Sequence, residues 1–280
     1  MSTLSTGSGA EPSQTATAGL LVLGTALALV WVAINLAFPG LAPSGIPLTV
    51  TRLAIHAAIL AGLWFGLLRT DFSASKRVIV WLAVAIPFTL WLALVWNLAA
   101  SGIFQPGAGR LPKLPIAIFA PVVIGLFVLL RSKSIAAVLD ATPATWLVAL
   151  QAYRILGGIF IVYWVHGTGA GVFAWTAGIG DVLTGIMALP VALQLASGSN
   201  GARRAAIAWN IFGLADFAVA VTMGVLSGPG PLQIFGLDIP TSVLGSYPAV
   251  MTPAFTVPSA ILLHALSIWQ LKRMGRRAGQ

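Results

Sequence analysis

The chain has 280 residues, of which 58% are hydrophobic and only 8% are charged, and its mean hydropathy is +0.96. Soluble globular domains carry about 25% charged residues, so this composition excludes an ordinary soluble protein, and its hydrophobicity excludes a disordered chain. The net charge of +9 comes from basic residues that cluster at the ends of apolar runs, which indicates membrane topology and argues against nucleic-acid binding.

The predicted elements begin with a tail and continue with eight apolar runs. Residues 1–17 are rich in Ser, Thr and Gly and are predicted to form a disordered cytoplasmic tail. Each apolar run is about 20 residues long, which suits a transmembrane helix. We therefore predict an all-α polytopic transmembrane helical bundle of about eight spans, at about 18–38, 50–68, 77–99, 114–130, 144–165, 172–195, 205–226 and 251–271.

The basic residues between these spans predict the orientation. Eleven of them follow spans two, four, six and eight, whereas the opposite connections contain only Arg110 and Lys113. Because cytoplasmic loops carry the excess of Lys and Arg, both termini are expected in the cytoplasm. The chain then divides into spans one to four within 18–142, spans five to eight within 143–271, and a basic cytoplasmic tail at 272–280. The external loop at 227–250 is apolar and rich in Gly and Pro, and it is either re-entrant or surface-lying.

Four ionisable residues fall near the middle of the second group of spans. Counting 1.5 Å per residue places Arg154, Asp181, Asp216 and His264 within about one helical turn of the same depth. A charge at the bilayer centre costs about 2.5–3.5 kcal/mol on insertion scales, so such residues usually have partners or a function. The candidate ligand- or proton-binding set is completed by two amides on the same spans, and it comprises Arg154, Asp181, Asp216, His264, Gln151 and Asn210.

The charges of this set suggest its chemistry. With both aspartates ionised and His264 neutral, the cluster carries one net negative charge. Asp181 and Asp216 would then carry a proton or cation, Arg154 would tune them or hold an anionic group, and His264 would act as a relay. The alternative interpretation is a buried Arg–Asp pair that only fixes helix packing.

Other functions remain open from the sequence. His264 or His56 could be the axial ligand of a membrane-embedded haem b. Arg52, one turn before His56, is expected to snorkel to the membrane interface. The absence of cysteine excludes disulfides and thiolate metal sites, and we predict no metal site and no catalytic residues. An intramembrane enzyme, a non-catalytic partner subunit and a homo-oligomer are further alternatives, and the expected partners are the lipid bilayer and a proton or small solute.

The second half of the chain also carries a resemblance. It rests on four stretches between about 145 and 271: Gln151-Ala152-Tyr153-Arg154 with Gly157-Gly158, Gly178-Ile179-Gly180-Asp181, Ala208-Trp209-Asn210 with Gly213-Leu214-Ala215-Asp216, and Pro258 with Leu263-His264. These stretches resemble a family of uncharacterised bacterial multi-span integral membrane proteins to which no activity is assigned. The resemblance implies a location in the bacterial inner membrane and no particular chemistry for the polar residues.

Overall fold

The computed structural model describes residues 14–41, 45–106 and 113–278, and within these ranges the chain is helical and contains no strand. Eight of its helices are long and apolar enough to cross a membrane, as the sequence predicts, and we call them spans one to eight. Their bounds are Gln14–Ala37, Ile46–Leu68, Ala74–Ala100, Lys113–Arg131, Thr145–Val165, Gly171–Ala196, Ala202–Ser227 and Thr252–Arg277.

The two predicted tails differ from the structure. The first helix already begins at Gln14, so residues 14–17 are helical, while residues 1–13 of the predicted tail lie outside the described residues. The last helix continues to Ala278, so the predicted basic tail is helical over most of its length. The reason is an ionic contact: Arg273 and Arg277 are one helical turn apart, and both donate to Asp140.

Asp140 belongs to a short helix that the sequence analysis missed. This linker helix, Lys133–Ala141, connects spans four and five, and the Ser132 side chain caps it by accepting from the backbone N–H of Ile135 at 3.2 Å. Its buried residues Ile135, Val138 and Leu139 follow helical spacing. That apolar face packs against spans two and eight.

Two spans contain irregular helical segments. Span five is α-helical at Thr145–Leu150, changes to a 3-10 helix at Gln151–Gly158, and returns to α-helix at Ile159–Val165. Span eight opens with a π-helical turn at Thr252–Thr256. Runs of 3-10 helix longer than three or four residues are uncommon, and such segments often mark functional positions.

Spans five to eight form the centre of the bundle. Their apolar stretches are 33–56% buried, compared with 11–17% for spans one to four. Span six packs mainly against the 3-10 segment of span five and against span seven. Two apolar clusters fill the two ends of this centre, one containing Phe160 and Phe173 and the other containing Val148 and Trp209. A polar layer lies between them.

The connection between spans seven and eight covers one end of the bundle. Within residues 228–251 the longest helix is the single 3-10 turn Ser242–Gly245. Leu244 and Ala249 pack into the cluster of Phe160 and Phe173. The base of the loop is closed by a 2.7 Å hydrogen bond between the hydroxyls of Ser227 and Thr241. We call this end of the bundle the loop side and the opposite end the tail side.

Candidate functional site

Arg154 lies at the centre of the polar layer and contacts both predicted aspartates. Its Nε donates to Oδ1 of Asp181 at 2.7 Å, and its Nη2 lies 2.6 Å from the same oxygen. Nη2 also donates to Oδ2 of Asp216. The Arg154 side chain is 1% exposed, and those of Asp181 and Asp216 are 14% and 5% exposed. The structure therefore brings one cation and two carboxylates together inside the bundle.

The remaining nitrogen of Arg154 points to spans seven and eight. Nη1 donates to the carbonyl of Gly213 and to Nε2 of His264, both at 3.2 Å. The guanidinium also lies over the ring of Phe217, 3.8 Å from Cζ to the ring centroid. Arg154 forms four hydrogen bonds, one from Nε, two from Nη1 and one from Nη2, and Nη2 contacts Asp181 as an ion pair as well. Every nitrogen of the guanidinium therefore has a protein partner.

His264 extends the polar layer towards the tail side. Because the guanidinium only donates, Nε2 of His264 accepts, and the ring proton is on Nδ1. Nδ1 donates to Oδ1 of Asn210 at 2.9 Å, and Nδ2 of Asn210 donates to Ser267 at 3.1 Å and to the Ala206 carbonyl at 2.7 Å. His264 is thus held neutral in one tautomer. Both ring nitrogens have protein partners, so an axial bond to haem iron would have to displace one of them.

Gln151 and His56 lie apart from this network. The Gln151 amide donates to the Ala260 carbonyl at 3.2 Å and does not bond to the charged residues. Nε2 of His56 lies 3.1 Å from the Thr89 hydroxyl, and its ring stacks on Phe88 with centroids 4.8 Å apart. In the described part of the chain, no three His, Cys, Asp or Glu side chains are grouped so that they could hold a metal ion.

Arg52 does not snorkel to a surface. It is 1% exposed, its Nη2 donates to the Pro248 carbonyl at 2.9 Å, and its guanidinium lies 5.5 Å from the Trp96 ring centroid. The expected snorkelling was wrong because the loop after span seven folds back over this end of span two. Pro248 supplies a protein acceptor there in place of the membrane interface.

Three glycines give the charged groups the space they occupy. A Cβ at Gly180 would overlap the carboxylate of Asp216, and one at Gly157 would overlap that of Asp181. A Cβ at Gly213 would lie 2.6 Å from the imidazole of His264. Glycine at these positions lets spans five, six, seven and eight approach closely enough for their side chains to bond.

Sequence reasoning missed several parts of the site. Ser267 is three residues after His264, and this helical spacing could have identified it. Phe217 is indistinguishable from the many other apolar residues of the spans. Trp209, whose ring lies 5.2 Å from that of His264, belongs to one of the stretches that carry the resemblance but was given no role in the site. The carbonyl of Gly213 leaves no sequence signal, because any residue carries one.

The electrostatics of the layer leave one negative charge uncompensated. Arg154 neutralises one of the two ionised aspartates, and His264 contributes no charge. Oδ2 of Asp181 and Oδ1 of Asp216 form no hydrogen bond with any residue that the structure describes. Asp181 also lines a cavity of about 50 Å³ that reaches Arg52. The layer therefore has free carboxylate oxygens at which a proton or cation could be bound.

One comparison with known proteins gives a match. A family model described as a domain of unknown function, DUF8737, matches residues 111–272, which is more than half of the chain. The matched segment starts before the predicted resemblance at 145 and includes spans four to seven, the linker helix and most of span eight. No curated protein and no solved structure matches the chain.

Proposed function

We infer the activity of this chain, which belongs to the DUF8737 family of domains of unknown function, from the geometry of its site. We propose that it is a multi-pass membrane protein that binds and translocates a proton at Asp181 and Asp216. The observation that carries the proposal is the buried Asp181–Arg154–Asp216 group, whose two acids share one cation. One added proton makes the group neutral, which removes the cost of an unpaired charge in a low dielectric.

Asp181 is the acid through which the proton enters and leaves. It is the more exposed of the two carboxylates, and it lines the cavity, whereas Asp216 does not. The hydrogen bond from Nε of Arg154 and the ion-pair contact of Nη2 both involve Oδ1 of Asp181, so its Oδ2 is free to accept a proton. Asp216 acts as the second carboxylate, and Arg154 holds whichever of the two is ionised.

We place the protein in the bacterial inner membrane with both termini in the cytoplasm. The distribution of Lys and Arg between the connections supports this orientation. The loop side, with the cavity and Arg52, then faces outward, and Asp181 exchanges protons with that side. Proton movement further inward requires Arg154 to change partners between the two acids.

A flux measurement tests the proposal. Purified protein is reconstituted into vesicles that contain a pH-sensitive dye, and a potassium gradient with valinomycin drives proton entry. We expect Asp181→Asn to reduce the protein-dependent proton flux at least tenfold. Asp140→Asn is the matched control, because it also removes a carboxylate paired with arginine but lies outside the site, and its flux should equal that of the wild type.

A packing role is the second candidate function, and one observation favours it. All three nitrogens of the Arg154 guanidinium already bond to protein acceptors, as expected of a group that only joins helices. If wild-type vesicles show no proton flux above that of empty vesicles, the proton proposal is wrong and the packing role takes its place.

A further inference from the structure

The cavity beside Asp181 is lined on its other wall by a second buried cation. It lies between spans two, five, six, seven and eight and has a volume of about 50 Å³, which is room for about three water molecules. Its polar lining residues are Arg52 and Thr51 from span two, Tyr153, Arg154 and Asp181 from spans five and six, and Thr252 and Thr256 from span eight. Most of the wall is apolar, and in such a cavity a few polar groups fix the orientation of a small ligand.

Arg52 is an unpaired charge inside the protein. Its Nη2 donates to the carbonyl of Pro248, the neutral hydroxyl of Tyr247 also lies beside the guanidinium, and its Nη1 is buried without any partner. No acid forms an ion pair with it within the same residues. Burying a cation without a counter-charge is unfavourable, so an anion beside this side chain would stabilise it.

Further donors lie around the same space. The buried hydroxyl of Tyr153 has no hydrogen-bond partner. Thr51, Thr252 and Thr256 add three hydroxyl groups to the lining. Hydroxyls and a guanidinium together are the donors that a planar oxyanion prefers, because a guanidinium can bind two of its oxygens at once.

We propose that this cavity binds a small monovalent oxyanion of three or four heavy atoms, the size of formate, nitrate or bicarbonate, at Arg52, and that one proton is taken up at Asp181 when it binds. The first part rests on the Arg52 cavity alone. The second part rests on the proposed proton site and identifies what accompanies the proton.

The balance of charges explains the coupling. Arg52 forms no ion pair with either acid, but its charge equals the one negative charge that the Asp181–Arg154–Asp216 group leaves over, so the two arginines and two ionised aspartates sum to zero while the cavity is empty. An anion adds one negative charge close to Asp181, and protonation of that carboxylate restores neutrality and removes the repulsion. The group that binds the anion and the group that binds the proton are separate, so both can be occupied together.

Apart from Asp216, the second carboxylate on Arg154, no group around the cavity competes for this proton. Arg52 faces Tyr247 and Tyr163, and Asp181 faces Arg154, Asp216 and Tyr153. The only negative charges among these are the two aspartates. His56, one turn along span two from Arg52, bonds to Thr89 and does not line the cavity.

Calorimetry on the purified protein in detergent tests the binding step. Formate is titrated at constant ionic strength and at pH 6.5, with sulfate, which is divalent and larger, as the negative probe. We expect saturable formate binding, no sulfate binding, and an affinity at least tenfold lower in Arg52→Gln. Arg69→Gln is the matched control, because Arg69 also lies over a tryptophan, 5.4 Å from the Trp146 ring, but is exposed and outside the cavity.

Two further variants keep the test decisive if Arg52→Gln does not fold. Arg52→Lys retains the charge and loses the planar fork, so its formate affinity should fall severalfold. Ala260→Val adds two methyl groups to the cavity wall without changing any charge, and it should weaken formate binding by a similar factor. Wild-type formate affinity in any folded variant of Arg52 or Ala260, or the absence of saturable binding in the wild type, would overturn the anion site.

The coupling is measured separately. Repeating the titration in two buffers of different ionisation enthalpy gives the number of protons taken up per formate, which should be close to one for the wild type and close to zero for Asp181→Asn. Uptake that is absent in the wild type, or unchanged in Asp181→Asn, would overturn the coupling. Formate binding that persists in a protein without proton flux would count against the proposed function and leave the anion site supported.

Discussion

Arg154 joins four spans through a single side chain. It extends from span five, and its acceptors are Asp181 on span six, Asp216 and Gly213 on span seven, and His264 on span eight. Inside a low-dielectric bundle, each of these bonds depends on the others, because loss of the cation leaves two carboxylates that cannot both stay ionised. Both the packing of spans five to eight and the balance of charge among them therefore depend on Arg154.

Replacing this arginine should destabilise the protein strongly. Arg154→Ala removes every partner of the two aspartates, and breaking a buried ion pair in this way costs about 3–5 kcal/mol. We expect poor expression and a clearly lower thermal midpoint, measured in detergent by fluorescence-detected size exclusion. A midpoint equal to that of the wild type would mean that Arg154 does not face the acids.

The triple variant Arg154→Ala, Asp181→Asn and Asp216→Asn separates charge from packing. Neutral amides no longer require the cation, so folded protein should be recovered. If the triple variant melts no higher than Arg154→Ala, the loss comes from the missing side-chain volume and not from unpaired charge. Recovered protein without proton flux would assign the charges to function as well as to packing.

Part of this site could be predicted from single residues. Because burying a charge is costly, Arg154, Asp181 and Asp216 stand out within their apolar spans. Counting residues from the ends of the spans then places the three at a common depth. The bonds of Gln151 and Arg52 could not be predicted. Both donate to backbone carbonyls of distant segments, and such acceptors depend on how the chain folds back and not on residue type.

At the scale of elements, hydropathy located all eight spans because each contains about 20 consecutive apolar residues. The linker helix was missed because its nine residues are too few to cross a membrane, so they fell within the connection between spans four and five. The 3-10 and π segments were missed for a different reason. The choice among i+3, i+4 and i+5 hydrogen bonds is made by tertiary packing and leaves no pattern in side-chain hydrophobicity.

The contact between the linker helix and span eight should depend on pH. The hydrogen bond from Arg273 and the positive charges of Arg273 and Arg277 hold the pKa of Asp140 below its ordinary value near 3.8. A carboxylate with a depressed pKa stabilises the folded state fully above that ordinary value, and this contribution is lost as the pH falls through the lower, folded-state pKa. We expect Asp140→Asn to cost on the order of 1 kcal/mol at pH 7.

Thermal midpoints of the wild type and of Asp140→Asn at pH 7 and pH 3 check this prediction. The difference between the two proteins should be present at pH 7 and should shrink at pH 3. Asp71→Asn is a suitable control, because Asp71 is exposed in the turn between spans two and three and should show no difference at either pH. An Asp140→Asn difference that is the same at both pH values would contradict the ionic origin of the contact.

At the scale of the whole molecule, the uneven distribution of basic residues predicts the orientation. The connections on the tail side carry most of the Lys and Arg, and Arg273 and Arg277 lie on the same side as Arg69 and Arg131 along the alternating spans. Translocation of short, strongly basic connections is unfavourable, so this side should remain in the cytoplasm.

Reporter fusions test the orientation. A reporter joined after residue 277 should be active only in the cytoplasm, and one inserted near Gly230 should be active only in the periplasm. The reversed pair of signals would invert the assignment of the cavity to the outer side. Identical signals at both sites would be incompatible with span eight crossing the membrane.

The 3-10 segment of span five has a mechanical consequence for the molecule. A 3-10 helix rises about 2.0 Å per residue with 120° between residues, and an α-helix rises 1.5 Å with 100°. If the eight residues Gln151–Gly158 rewound into α-helix, span five would shorten by about 4 Å and one end would turn by about 160° relative to the other. Such a movement is that of a screw. It would carry Arg154 around the helix axis and away from at least one of the two aspartates, and it would pull on the linker helix. Breaking an ion pair in the polar layer and displacing the tail side would then be one movement.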